Sequence, residues 1–331
     1  MSQDSIFREY YSQPTFIDRL EQYDDEGIDV IIPVINTNEL WERNLHSFYR
    51  EIPINRLLIG DGGCTDETIK IVEQFPRVEI IDQSEYETQG YCIKELIEHV
   101  ETEIFVYLHA DVFLPEGWFD EMYQYRDDLD WYECYRRHTV LAEYPNERQN
   151  NATRAYSGSQ MGRKETFDKF IDDIDDDFLQ RNEDIVFAEL VKEHGEYDRI
   201  DDTFHYHQVM ERQDPESSFG EDEPQITSVS IEKESAPEWE RKVAEMQWKG
   251  IVRYTSPKPY LINTVEGSIV QLMKIGAFDE DEFTSFVQEE NPQWEDHINI
   301  QKLYIRSKIR SSTQTVKDNA WGALKMIYDR L

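Results

Sequence analysis

Apolar positions in the first 210 residues fall in short runs divided by stretches of helical period. Ile28 to Val34 (IDVIIPV), Leu57 to Asp61 (LLIGD), Val78 to Ile81 and Ile104 to Leu108 (IFVYL) are runs of strand length. Strands with little polar alternation need cover on both faces, as in a sheet packed with helices. Between them, Asn38 to Arg50 carries Leu40, Trp41, Leu45 and Phe48 on one helical face, and Tyr91 to Val100 reads as a second helix. The succession predicts an α/β fold, a mostly parallel sheet with right-handed crossovers and helices on both faces.

The breaks between these runs carry the chemistry. The central strand ends at His109-Ala110-Asp111, after which Pro115 is expected to open a helix through Glu116 and Asp120. A carboxylate at the carboxyl end of a buried strand lies where open α/β sheets bind ligands. Taken alone, Asp111 reads equally well as a helix cap. The second strand runs into Asp61-Gly62-Gly63-Cys64-Thr65-Asp66-Glu67-Thr68. There two glycines permit a sharp turn, and Thr65 or Asp66 can cap a helix near Glu67.

After Asp120 the pattern changes. Trp131 to Leu141 (WYECYRRHTVL) is an aromatic and β-branched strand, residues 145–160 a polar loop expected to reach the site, and Arg163 to Phe170 a short helix. An acidic connection, Ile171 to Gln180, leads to Asn182-Glu183-Asp184, which opens a helix stopped by Gly195. Arg199 to Gln208 is a strand ending in His205 and His207. The expected organisation is an arm over 1–27, an α/β domain over 28–210, an acidic linker over 211–237 with three prolines, and a helical region over 238–331. In the last, Ile269, Leu272, Met273 and Ile275 are expected to face a core, and Arg306, Lys308 and Arg310 to form a solvated face.

Composition then limits the function classes. With 331 residues, 39% hydrophobic and 13% aromatic, the chain is globular and large enough for one core plus an appendage. Seventy acidic against 34 basic residues leave a net charge of −36, spread through every segment. Such self-repulsion is tolerated where salt is concentrated, because screening lengths fall to a few ångströms. The composition therefore reads as that of a halophile's protein, with a halophilic archaeon as the expected source. No basic stripe offers a partner surface to nucleic acid. No run approaches a membrane span, and MSQDSIFREYYSQ has no signal-peptide pattern. Three scattered cysteines make neither a disulfide framework nor a metal knuckle. The expected place is the cytoplasm, with peripheral contact at the inner face of the membrane left open.

The ordered set IDVIIPVINTN, DGGCTDET, HAD, SGSQMGRKETF and RNEDIVFAELVKEHG resembles a family 2 glycosyltransferase of the GT-A (Rossmann-like) fold, in the nucleotide-diphospho-sugar transferase superfamily. The resemblance covers Ile28 to Met210. It implies transfer of one sugar, of hexosyl type, from a UDP- or GDP-linked donor to a hydroxyl of an acceptor glycan or lipid-linked sugar. Inversion at the anomeric carbon and a role in cell-surface glycan or glycoconjugate synthesis are implied with it. By the same resemblance, Asp61 bonds the nucleotide base, the turn Pro33, Val34, Ile35 and Asn36 lines the base pocket, and Gly62, His109 and Ala110 complete the donor site. Asp111 is implied as a contact to a divalent cation, Mn²⁺ or Mg²⁺. His109 departs from the pattern by standing where the first Asp of a DxD motif is usual.

A histidine on the metal is implied too. His207 is the first choice and His205 the second, on the expectation that the two point to opposite faces of their strand. Asp184 is implied as general base, with Glu183 beside it in an acceptor-binding role. The bland alternatives are a surface histidine pair, a turn-forming Asp61 and a helix-capping Asp184. The Gln-x-x-Arg-Trp motif of processive synthases is absent, which favours a soluble enzyme adding single sugars. Two other functions compete: a non-catalytic, transferase-like scaffold, and a nucleotidyltransferase. Against the second, VINTNEL lacks the Gly and Lys of a phosphate loop.

Overall fold

The computed structural model describes residues 16–22, 27–37, 40–86, 88–140, 158–175, 183–209 and 236–307. They form two compact units, one within residues 16–209 and one within 236–307. Of the expected arm only 16–22 and 27 are described, with one helical turn at Arg19–Gln22. The acidic linker up to 235 and the helix expected to reach Leu331 beyond 307 lie outside the described residues.

The first half of the larger unit alternates as expected: β1 (Ile28–Val34), α1 (Trp41–Glu51), β2 (Ile54–Asp61), α2 (Thr68–Val72), β3 (Val78–Asp82), α3 (Gln89–Glu98) and β4 (Ile104–Leu108). The four strands are all parallel, in the order β3-β2-β1-β4. Alternation along β1 divides two cores. Val30, Ile32 and Val34 pack with Trp41, Leu45 and Phe48 of α1, while Ile31 is buried on the other face, where α3 crosses β1 and β2 with Ile93, Leu96 and Ile97 buried. Each such side chain contributes roughly 1.5–3 kcal/mol relative to exposure, so β1 cannot slip by one residue without emptying both cores.

The second half holds β5 (Val112–Phe113), α4 (Trp118–Tyr123), β6 (Trp131–Val140), β7 (Ser159–Arg163), α5 (Lys164–Phe167), α6 (Glu183–His194) and β8 (Tyr197–Val209). The sheet continues in the order β4-β7-β6-β8-β5. Here β7 runs antiparallel to β4 and β6, β6 parallel to β8, and β5 antiparallel to β8. The result is a mixed α/β sheet, parallel in its first half.

Three expectations need correction. Of the loop expected over 145–160, residues 145–157 lie outside the described residues and its end is strand from Ser159, because β7 fills the gap between β4 and β6 and its polar residues are buried there. Pro115 does not open a helix directly; α4 starts at Trp118 after Gly117, whose left-handed φ of 82° favours glycine. The two-residue β5 was not anticipated at all.

In the smaller unit, α7 (Ala236–Tyr254), α8 (Pro259–Ile275) and α9 (Glu280–Glu290) precede a 3₁₀ turn, Pro292–His297. Pro259 starts α8 at its first position and Gly276, at φ 74°, ends it. Ile269 and Leu272 are buried as expected, but Ile275 is 38% exposed, since it falls in the last turn beyond the buried stripe. Arg306 bonds Glu266 at 3.0 Å. No helix among the described residues is long and apolar enough to cross a membrane.

Candidate active site

The turns after β1, β2 and β4 gather at the carboxyl ends of the parallel strands, the edge where such sheets bind ligands. Val34 pairs with Asp61 at that edge. Asp61 Oδ1 accepts from the backbone N–H groups of Gly63 (3.0 Å) and Cys64 (2.7 Å), so it does form the turn. Gly63 takes φ 92° within it. Asn36, also left-handed at φ 41°, accepts on Oδ1 from Thr65 N (2.8 Å) and Asp66 N (3.3 Å). The first two turns are thus tied into one rim. Pro33 and Ile35 are half-buried and Val34 buried. Gly62 donates to the Val34 carbonyl at 2.9 Å, and a Cβ on it would meet that oxygen at 3.1 Å. The Ala110 carbonyl accepts from Asn44 Nδ2 of α1 at 2.8 Å, anchoring the third turn.

That third turn carries the densest cluster. His109 N donates to the Gly158 carbonyl at 2.9 Å, and Val112 N to the His109 carbonyl at 3.3 Å, so Asp111 stands at the tip. The pairing of β5 with β8 sets Val112 opposite His207. It brings His207 Nε2 to 3.5 Å from Asp111 Oδ2, while His109 Nδ1 lies 4.0 Å from Asp111 Oδ1. One ligand atom from each of the three lies within 4.8 Å of the others.

Two imidazole nitrogens and a carboxylate oxygen suit a borderline divalent cation such as Mn²⁺. Burial pushes His109 down to about 4, with His207 and Arg136 adding to the effect and Asp111 opposing it. Its ring is therefore neutral at physiological pH, and its Nε2 is buried with no hydrogen-bond partner among the described residues. These residues fit a metal centre, with His109 joining as a nitrogen donor and not only as a donor-site neighbour.

The expectation that His205 and His207 face opposite ways is wrong. Residues two apart on a strand share a face. Both rings point inward, 6.3 Å apart, with 1% and 8% of their residues exposed. His205 is directed elsewhere within that face. Its Nδ1 lies 2.7 Å from Ser159 Oγ and 3.5 Å from Cys134 Sγ, so it packs behind the cluster.

Asp184 and Glu183 open α6. Asp184 Oδ1 accepts from Ile185 N at 2.9 Å. Burial raises Asp184 to about 6; Glu133 pushes the same way, while the Ile185 N–H and Arg136 oppose. Tyr107 of β4 links this carboxylate to the cluster: its buried phenol is held well above its ordinary value by burial first, then by Glu183, Asp184 and Asp111. The same ring lies edge-on to His109, with centroids 5.3 Å apart. A carboxylate that titrates near 6 is ionised at neutral pH and basic enough to take a hydroxyl proton.

Sequence reasoning missed three residues here: Tyr107, Glu133 and Arg136. Glu133, 2% exposed, bonds Arg199 Nη2 at 2.8 Å and Tyr197 OH at 3.1 Å. Arg136 lies within electrostatic reach of Asp111, Asp184 and Glu133. A signal existed, since charged residues inside an otherwise aromatic strand are costly unless paired or used.

A family model, Glycosyl transferase family 2, matches residues 29–186. No curated protein sequence matches the chain. Among solved structures, S. aureus TarS 1-349 in complex with UDP-GlcNAc aligns at 14% identity over 82% of this chain and 79% of its own, TM-score 0.48. Its complex with UDP aligns at 14% identity over 85% and 81%, TM-score 0.47. The mannosyltransferase PcManGT from Pyrobaculum calidifontis, in complex with GDP-Man and Mn2+, aligns at 13% identity over 93% of each chain, TM-score 0.49. At these identities the likenesses assign neither substrate nor metal.

Proposed function

From a chain that belongs to glycosyl transferase family 2 through residues 29–186, we propose an inverting transferase that moves one sugar from a nucleotide-diphosphate donor to an acceptor hydroxyl. The observation that carries the reading is the grouping of His109, Asp111 and His207 at the end of the central strand, with one ligand atom of each within 4.8 Å of the others. Asp184 takes the proton of the acceptor hydroxyl while that oxygen forms its bond to the anomeric carbon. The bond from that carbon to the diphosphate oxygen breaks, and the nucleoside diphosphate leaves with the electron pair. One displacement inverts the centre. A divalent cation, Mn²⁺ or Mg²⁺, held by His109, Asp111 and His207 would supply Lewis-acid neutralisation of the leaving diphosphate.

The remaining residues bind and orient. The rim of Pro33, Val34, Ile35, Asn36, Asp61 and Gly62 takes the nucleoside of a UDP- or GDP-sugar, and Glu183 borders the acceptor side. The acceptor class is a glycan or lipid-linked sugar of a cell-surface glycoconjugate, and the sugar a hexose. The test is release of nucleoside diphosphate from UDP- and GDP-sugars with Mn²⁺ or Mg²⁺ in molar KCl, read beside calorimetric binding. Binding without turnover on any acceptor would favour the scaffold reading, pyrophosphate release a nucleotidyltransferase. Absence of any nucleotide-sugar binding by folded protein would refute the proposal.

A further inference from the structure

Arg136 is a half-buried cation whose Nε has no hydrogen-bond partner among the described residues. Its parallel register on β6 sets it beside His205 of β8. Paired neighbours project to the same side of a sheet, so Arg136 shares the face on which His207 approaches Asp111. The carboxylates of Asp111, Asp184 and Glu133 all act on it, Asp111 foremost. Each also has a contact of its own: Asp111 has His207 at 3.5 Å, Glu133 has Arg199 at 2.8 Å, and Asp184 has the Ile185 N–H at 2.9 Å. Arg136 Nε is buried with no hydrogen-bond partner among the described residues.

A guanidinium drawn out of water with its Nε donor open is matched to a phosphate group, whose oxygens it meets with a planar fork. The site needs such a group. A diphosphate entering it comes among the carboxylates of Asp111 and Asp184, both of which act on Arg136, and like charges repel strongly where water is excluded. We infer that Arg136 binds the diphosphate of the donor, holding phosphate oxygens beside the His109–Asp111–His207 cluster. This inference rests on the donor-site reading above. It adds a recognition element supplied by β6 and independent of any metal. As the nucleoside diphosphate departs, Arg136 stays opposite the charge that develops on it.

The experiment is calorimetric titration of the full chain, Arg136→Gln and Arg136→Lys with UDP, GDP, uridine, guanosine and inorganic pyrophosphate. Each is run with Mn²⁺ and with EDTA, at the lowest KCl concentration that preserves the native circular dichroism. Losing charge-assisted hydrogen bonds should weaken the nucleoside diphosphates roughly ten- to hundredfold in Arg136→Gln. The loss should appear with and without Mn²⁺, be partial in Arg136→Lys, and leave the nucleosides unchanged. Nucleoside diphosphate binding as tight in folded Arg136→Gln as in the parent would overturn the inference. So would an equal loss for nucleoside and diphosphate, which marks a change of fold. If the parent binds no nucleotide, the donor reading falls by itself. Pyrophosphate bound by the parent and lost in Arg136→Gln would then still uphold the anion role, and pyrophosphate bound equally by both would end it.

Discussion

Replacing Asp184 by Asn should make the protein slower and more stable at once. The folded value is raised from 3.8 to about 6 by burial. Between those two values the unfolded chain has lost a proton that the folded chain still holds. Stability from this group is therefore fully present below about pH 4 and is lost as pH rises through 6. Two units correspond to at most about 3 kcal/mol. Above pH 6 the folded protein carries that cost as a half-buried carboxylate, and Asn, neutral and equal in shape, removes it while still accepting from Ile185 N. Asp184→Asn should thus melt roughly 5–10 °C higher than the parent at pH 7.5 and level with it near pH 4. Turnover should fall by roughly a hundredfold or more, the size expected when a positioned base is lost. In the parent, kcat/KM should rise with pH up to about 6 and then level, and the variant should lack that limb. Melting curves at both pH values and initial rates across pH 4.5–8 decide the matter. A fully active Asn variant, or a stability difference independent of pH, would refute the reasoning.

Other perturbations follow from the same geometry. Asp111→Asn and His207→Ala should each lower Mn²⁺ affinity, read by calorimetry, and EDTA should stop transfer until Mn²⁺ or Mg²⁺ is restored; Mn²⁺ binding unchanged in both variants would remove the metal from this cluster. Glu133→Gln takes away a negative neighbour that raises Asp184, so the acid limb of kcat/KM should move to lower pH. The same change leaves Arg199 without its carboxylate, costing roughly 1.5–3 kcal/mol in denaturant titration. Gly158 sits at φ 127°, and a Cβ there would meet His205 Nε2 at 2.8 Å. Gly158→Ala should therefore cost about 1–3 kcal/mol and weaken Mn²⁺ binding through the shifted His109 backbone. A net charge of −36 predicts a melting temperature that climbs between low and molar KCl, and equal stability at both would defeat the halophile reading.

The local periods of the chain were enough to place β1 to β4, α1, α3 and α6, because apolar runs and helical stripes are properties of neighbours in sequence. They also located Asp61 and Asp111, which follow buried runs, and Asp184, which opens one, since a polar residue bounding such a run lies at an element's edge. What they could not give was any fact set by pairing between distant segments. β5 is two residues long and exists because β8 offers it an edge; only that pairing puts His207 beside Asp111. β7 reads as polar loop until β4 and β6 close on both sides of it. Opposite Cys134 and Tyr135 the register jumps from Ile200 to Phe204, and the residues this inserts in β8 set Arg136 next to His205. A bulge of this kind costs little locally and leaves no periodic trace, yet it changes which side chains share a face. The elements and their terminal carboxylates were therefore written in the sequence, while the histidine geometry, the Glu133–Arg199 pair and the place of Arg136 were decided by long-range strand pairing.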